Sequence, residues 1–280
     1  MNNMLPYNRQ WSTSTPGLLI FLVDQSSSMK SPYNQQLSRA EYTAKVLNLI
    51  IGEIIARNVG EEQYRDRAII KVIGYGHQTK TLVGGTISSL AKDRKNYPIE
   101  VVPITTKRGT NTKKMQIFIK PTSEGYTPML DAFIRAEEFI KEFCNRKPNS
   151  PAPVLINITD GHPEIDGKAT KQYMEEIVQY IDNHLKGLQT HDGALSIFNI
   201  HIASEGNPIG FVAQRDQLRD FYEQFLFDIS TIVPNNYKKN AGDLSNDFPH
   251  LKNPNVRGFI ANADAITLVK FLNFGSNLSR

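Results

Sequence analysis

Residues 18–30, LLIFLVDQSSSMK, run six apolar side chains into Asp24, Ser26, Ser27 and Ser28. A carboxylate at the mouth of a buried strand, with no charge partner nearby in sequence, has two readings. Asp and Ser cap helices, so the group could be an N-terminal cap. Alternatively, a positive charge is gathered there from elsewhere. Two further stretches bear on the choice. Residues 152–161, APVLINITDG, end another apolar run in Thr159, Asp160 and Gly161, and residues 124–129, EGYTPM, place Thr127 in a loop. Asp24, Asp160, Ser26, Ser28 and Thr127 make two carboxylates and three hydroxyls, with no sulfur or imidazole. Such an oxygen-only set suits a small hard cation. Mg²⁺ takes about six oxygens near 2.0–2.1 Å and keeps several waters. Two carboxylates balance a divalent charge, and a further position stays open to water or to a carboxylate from outside. Mn²⁺ and Ca²⁺ are alternatives.

These residues meet only if the chain folds to bring them together. The apolar runs at 18–23, 68–76 and 152–161 read as buried strands, bounded by turn residues. Periodic apolar positions predict helices over 38–57, 128–144, 168–188, 216–227 and 264–274, with Pro128 in a first turn and Gly275 as a C-terminal cap. Further strands are expected over 194–204 and 208–212. Residues 77–120 have hairpin character, with strands over 81–83, 99–103 and 115–119, and residues 233–257 read as irregular. Strands alternating with helices imply a single α/β domain: a doubly wound, mostly parallel sheet with helices on both faces. Its boundaries are 16–280, behind an N-terminal arm, 1–15, that carries Trp11. In such sheets ligands bind beyond the carboxyl ends of the strands, which is where Asp24 and Asp160 fall.

Composition narrows the class. The 280 residues are 40% hydrophobic, enough for a substantial core. No stretch reaches the roughly 18 apolar residues of a membrane span. The first residues lack the basic head and apolar core of a signal peptide. Cys144 is the single cysteine, so an internal disulfide and a cysteine-based zinc site are excluded. A reducing cytoplasm is the expected compartment. The net charge of +4 is uneven, since residues 92–120 hold eight cations against Asp93 and Glu100. That segment reads as a solvated hairpin, or as a surface for nucleic acid or an acidic protein. It lacks the interleaved aromatics that stack bases.

The motifs resemble those of a known family. Asp24-Gln25-Ser26-Ser27-Ser28 is similar to the Asp-x-Ser-x-Ser motif of von Willebrand factor A domains. Gly125-Tyr126-Thr127-Pro128 resembles their threonine loop, and Thr159-Asp160-Gly161 their second aspartate turn, in the same order. The tail RGFIANADAITLVKFLNFG and the strand FNIHIAS resemble a bacterial cytoplasmic branch. Its members accompany phosphatases, kinases or tellurite-resistance proteins in stress or defence gene clusters. The resemblance spans about residues 16–274. It implies a metal-ion-dependent adhesion site with Asp24, Ser26, Ser28 and Thr127 as ligands and Asp160 bound directly or through water. It also implies a protein partner that supplies an Asp or Glu to the ion, with the loops 31–36, 125–129 and 162–166 setting specificity. The expected function is recognition, not catalysis, with no membrane partner and nucleic acid unfavoured.

Two rival readings differ in class. A nucleic-acid module would use residues 92–120. A metal-dependent phosphatase would use Asp24 as nucleophile, but that chemistry wants a carboxylate two residues on, where Ser26 stands. A Gly-x-Ser-x-Gly elbow and a phosphate-binding Gly-rich loop are both missing. Of the six histidines, His162 could line the rim of the site, and His201 reads as a hydrogen-bonded core residue.

Overall fold

The computed structural model describes residues 7–33, 36–106, 109–166, 168, 170–203, 207–218, 220–239, 241, 244–263 and 267. Its strands are β1 (Gly17–Asp24), β2 (Ala68–Tyr75), β3 (Lys80–Thr86), β4 (Ile99–Thr106), β5 (Gly109–Gln116) and β6 (Val154–Thr159). They are followed by β7 (Gln189–Thr190), β8 (Gly193–Ala194), β9 (Ser196–Ile202), β10 (Ile209–Gly210) and β11 (Phe259–Ala263). The longer helices are α1 (Arg39–Arg57), α2 (Ile87–Asp93), α3 (Met129–Arg146), α4 (Thr170–Tyr180) and α5 (Phe221–Asp228).

The main sheet has the order β10-β11-β9-β6-β1-β2-β3. Its five inner strands run parallel, and β3 and β10 close the two edges antiparallel. The fold is therefore α/β, with a doubly wound and mostly parallel sheet. Strand β1 shows why. Every residue from Gly17 to Asp24 is buried, and alternate side chains serve opposite faces. Leu19, Phe21 and Val23 pack into the core beneath α1, while Leu18, Ile20 and Leu22 pack with α3, α4 and α5. A strand covered on both faces needs the continuous apolar run that 18–23 supplies. Strand order reverses between β1 and β6, so the carboxyl ends of these two strands form the crevice where such sheets take ligands.

Several elements differ from the sequence expectations for physical reasons. The strand expected over 81–83 is the edge of the main sheet, where β3 pairs with β2, and it does not belong to the hairpin. Helix α2 follows it, capped by the Thr86 side chain, which accepts from Ser89 N–H. Seven residues are too few for periodicity to reveal. The strand β11 also escapes the sequence pattern: it is five residues long, its register shifts between Ile260 and Ala263, and Asn262 takes φ +53°. Pro128 sits in the N-cap position ahead of α3 instead of in the first turn. The helix expected over 168–188 is α-helical only to Tyr180 and ends in a π-type turn, Ile181–Leu185. The helix expected over 216–227 starts at Phe221, where Asp220 accepts from Tyr222 and Glu223 N–H. Residues 233–257 include two short helices, Asn235–Lys239 and Leu244–Asp247. The expected helix 264–274 lies outside the described residues, save Thr267.

Strands β4 and β5 form the separate hairpin. Its inner face, Val102 with Met115 and Ile117, packs near Leu49 of α1, and Lys113 meets Glu53 at 3.4 Å. Val101 and Ile99 are left exposed. The strand expected over 115–119 ends at Gln116, because Asn48 of α1 takes over. The Asn48 Oδ1 accepts from the N–H groups of Phe118 and Ile119 at 2.9 Å, and its amide donates to Ile119 C=O. At the other end, Trp11 is buried against β1, and any side chain larger than hydrogen at Gly17 would collide with the indole. The arm is pinned there by Asp192, which accepts from Asn8 and Arg9 N–H.

Because Asn48 is buried and satisfies three backbone groups, Asn48→Ala should destabilise the fold by roughly 2–4 kcal/mol, as expected for orphaned buried donors and acceptors. The shift of the urea midpoint reads this directly. A loss below about 0.5 kcal/mol, the usual surface range, would contradict the pinning role.

Candidate functional site

Asp24 is the last residue of β1, and register places it beside Thr159 at the end of β6, since Val23 pairs with Ile158. The Asp24 carboxylate is 1% exposed. One oxygen accepts from Ser26 N–H at 2.8 Å and the other from the Thr159 hydroxyl at 2.7 Å. The Ser26 and Ser28 hydroxyls lie 2.9 Å apart, and Ser28 donates to Asp160 Oδ1 at 2.7 Å. Asp160 Oδ2 accepts from Arg39 Nη1 at 2.7 Å. The structure thus joins Asp24, Ser26, Ser28 and Asp160, all singled out from the sequence, in one polar cluster at the switch point of the sheet. Ser26 is buried and Ser28 exposed, so the cluster runs from the core to the surface.

The loop that carries Thr127 is tied by its backbone to the segment that carries Asp24, Ser26 and Ser28. Ser27 N–H donates to Gly125 C=O at 3.0 Å, and Glu124 N–H donates to Gln25 C=O at 2.7 Å. Two close approaches make this possible. Gly125 takes φ +82°, and a side chain there would meet the His77 backbone at 2.6 Å. A side chain at Gly76 would meet the carbonyls of Gln25 and Glu124 within 2.7 Å. Thr127 itself is buried and exchanges backbone hydrogen bonds with Glu164 at 2.9 and 3.2 Å. The loop after β6 therefore holds the threonine loop on one side and the Asp24–Ser28 loop on the other. Tyr126, next to Thr127, is 48% exposed at the rim.

Beneath the cluster lies a buried polar chain. Tyr75 O–H donates to Asn157 at 2.8 Å, Asn157 to Asn199 at 3.0 Å, and Asn199 to Ser230 at 2.9 Å. Burial and the Asp24 charge raise the Tyr75 pKa well above its ordinary value, so the phenol stays a neutral donor. His162 stacks on Tyr222. His201 Nδ1 is buried without a hydrogen-bond partner among the described residues, so the satisfied core histidine expected from the sequence is met only in part. Burial lowers the pKa of both histidines.

Arg39 and Tyr75 are parts of the site that the sequence reading did not name. Arg39 opens α1, and its partner is 121 residues away. No local pattern predicts that pair. Thr159 carried a signal, as the hydroxyl preceding Asp160 at a strand end, but its role as the direct partner of Asp24 follows only from register.

The donor set can be tested against a hard cation. Adjacent oxygens around an octahedral ion with bonds of about 2.0–2.1 Å sit about 2.9 Å apart. The Ser26–Ser28 and Ser28–Asp160 oxygen separations, 2.9 and 2.7 Å, suit neighbouring positions of that kind. Two buried carboxylates match the charge of a divalent ion, and the Arg39 guanidinium beside them would leave the loaded site with one positive charge. The residues present therefore fit a small divalent ion held by oxygen. Among the described residues, no group of three or more His, Cys, Asp or Glu side chains is placed to hold a metal.

No protein-family model and no curated protein matches the chain. Solved structures with a similar chain path include the vWF domain of the type V pili tip protein Mfa5 from Porphyromonas gingivalis. It shares 11% identity over 94% of each chain, with a TM-score of 0.48. Proximal thread matrix protein 1 from the mussel byssus shares 14% identity over 95% of this chain and 48% of its own, with a TM-score of 0.44. The ArnB paralog VWA2 from Sulfolobus acidocaldarius shares 13% identity over 67% and 35%, with a TM-score of 0.35. The chain thus spans less than half the length of the last two. At such identities no residue role passes from them to this chain. No helix among the described residues is long and apolar enough to cross a membrane.

Burial and then the Asp160 charge push the Asp24 pKa up to about 6, from an ordinary value of 3.8. With metal chelated, the folded state therefore keeps a proton that the unfolded chain has released over this interval. Stability should fall as pH rises from about 4 to about 6 on this account. Asp24→Asn removes the titration and should flatten that part of the profile. Parallel urea-midpoint profiles for the two proteins in EDTA would contradict it.

Proposed function

We propose that this chain is a von Willebrand factor A-type recognition module that takes a divalent cation, Mg²⁺ first among the candidates, at the Asp24–Asp160 cluster. The observation that carries the reading is the polar network joining Asp24, Ser26, Ser28 and Asp160 at the switch point of the sheet, with oxygens at 2.7–2.9 Å. Ser26, Ser28, Thr127, Asp24 and Asp160 would hold the ion. When bound, it would supply an unfilled coordination position that an Asp or Glu of a protein partner completes.

The chain's own residues organise this. Thr159 and Ser26 N–H hold Asp24 by both oxygens, which fixes its orientation. Ser28 and Arg39 hold Asp160 in the same way. The backbone bonds of Gly125 and Glu124 keep the threonine loop beside Ser27. Exposed Tyr126 is placed to touch a partner near the site. Ser26 stands where phosphoryl chemistry on Asp24 wants a second carboxylate, so a phosphatase is disfavoured and a binding role is the better assignment. The setting we propose is the bacterial cytoplasm, in a stress or defence pathway, on the motif resemblance alone. Nucleic acid is the second choice: Lys113 of the basic segment is turned to Glu53 on α1.

Two outcomes test the reading. A cation that binds only the folded state raises the melting temperature by mass action. Mg²⁺ or Mn²⁺ should stabilise the wild type and leave Asp24→Ala unaffected. Equal melting temperatures with and without saturating metal would overturn it. Thr127→Ala removes one neutral oxygen that water can replace, so it should keep metal binding while weakening capture of a carboxylate partner. Loss of metal binding as complete as in Asp24→Ala would contradict that division of labour.

A further inference from the structure

Resting on that reading, we infer that Arg39 is the residue that makes the metal-loaded site demand an external carboxylate. Its Nη1 lies 2.7 Å from Asp160 Oδ2, and the Asp160 side chain is fully buried in the pair. Arg39 is not a loose surface cation. It is the first residue of α1, whose start is set by a capping box between Ser38 and Glu41, and its own N–H donates to Ser31 C=O at 3.0 Å. Its side chain is 20% exposed, and its Nε is buried with no hydrogen-bond partner among the described residues. A guanidinium stays charged at any pH of interest and is fixed by a planar fork.

Charge counting gives the consequence. Asp24 and Asp160 would neutralise a divalent ion by themselves. A carboxylate arriving from outside would then leave the site negative and buried. With Arg39 added, the loaded site carries one positive charge, and one incoming carboxylate restores neutrality. Arg39 therefore does two opposed things: it weakens metal affinity by like-charge repulsion, and it strengthens carboxylate binding to the loaded site. Repulsion between a divalent ion and a guanidinium on the same carboxylate exceeds what one hydrogen bond to Asp160 returns, because the pair is shielded from water. The ligand class that follows is a carboxylate, bound by charge as well as by coordination, in preference to a neutral oxygen donor.

The test uses Mn²⁺ as the metal and acetate as the carboxylate, both followed by the water-proton relaxation of Mn²⁺ in the whole protein. Arg39→Gln should bind Mn²⁺ about tenfold more tightly than wild type, and acetate should displace water from its loaded site at about tenfold higher concentration. Arg39→Lys keeps the charge and should stay within about threefold of wild type in both. The opposite signs are the readout, since a purely structural Arg39 would lower both affinities together. Parallel losses in Arg39→Gln, or no change in either quantity, would overturn the inference. If Arg39→Gln does not fold, a tenfold change in either affinity for Arg39→Lys would overturn it instead. Absence of Mn²⁺ binding by the wild type would remove the metal reading itself, and the inference with it, which distinguishes the two failures.

Discussion

Two carboxylates, Asp24 and Asp160, stand at the ends of adjacent buried strands, and their charge has to be answered. Everything around the site follows from that constraint. Asp24 is wholly enclosed, and Asp160 is buried with it. Each oxygen of each carboxylate accepts a hydrogen bond: from Ser26 N–H and Thr159 for Asp24, and from Ser28 and Arg39 for Asp160. Only one of those donors is charged. Buried charge of one sign is costly unless paired, which is the physical ground for the cation proposed at this cluster.

The fold makes such a cluster possible by being indifferent to it. The sheet gains most of its stability from the buried apolar side chains of β1, β2, β6 and β9, which pack on both of its faces. The two buried carboxylates of the sheet, Asp24 and Asp160, stand at its carboxyl ends, where strand order reverses. Loop is tied to loop there by backbone bonds from Ser27, Glu124 and Thr127, so the site depends little on any single side chain for its shape. The buried chain from Tyr75 to Ser230 supports the floor with neutral donors and acceptors.

Much of this was legible in the sequence, and the gaps have physical causes. Long apolar runs announce buried parallel strands, and a carboxylate at the end of such a run is conspicuous, so Asp24 and Asp160 stand out, and the structure brings them together with Ser26 and Ser28. Long amphipathic helices such as α1 and α3 were equally plain. Short elements were not: α2 has seven residues and β11 five, with a bulge and an Asn262 at positive φ. Long-range polar pairs leave no local trace. Arg39 reads as an ordinary first-turn residue until the fold sets it against Asp160, and Asn48 reads as one polar position in an apolar helix until it is seen to hold the segment after the hairpin.

The central claim is that the Asp24–Asp160 cluster is a cation site. It is tested most directly by a crystal structure of the protein grown with Mn²⁺, with the ion located by its anomalous scattering. The account predicts one strong peak within bonding distance of the Ser26 and Ser28 hydroxyl oxygens, at the ends of β1 and β6. A well-ordered cluster with Ser28 and Arg39 still on Asp160, and no peak between them at saturating Mn²⁺, would contradict it.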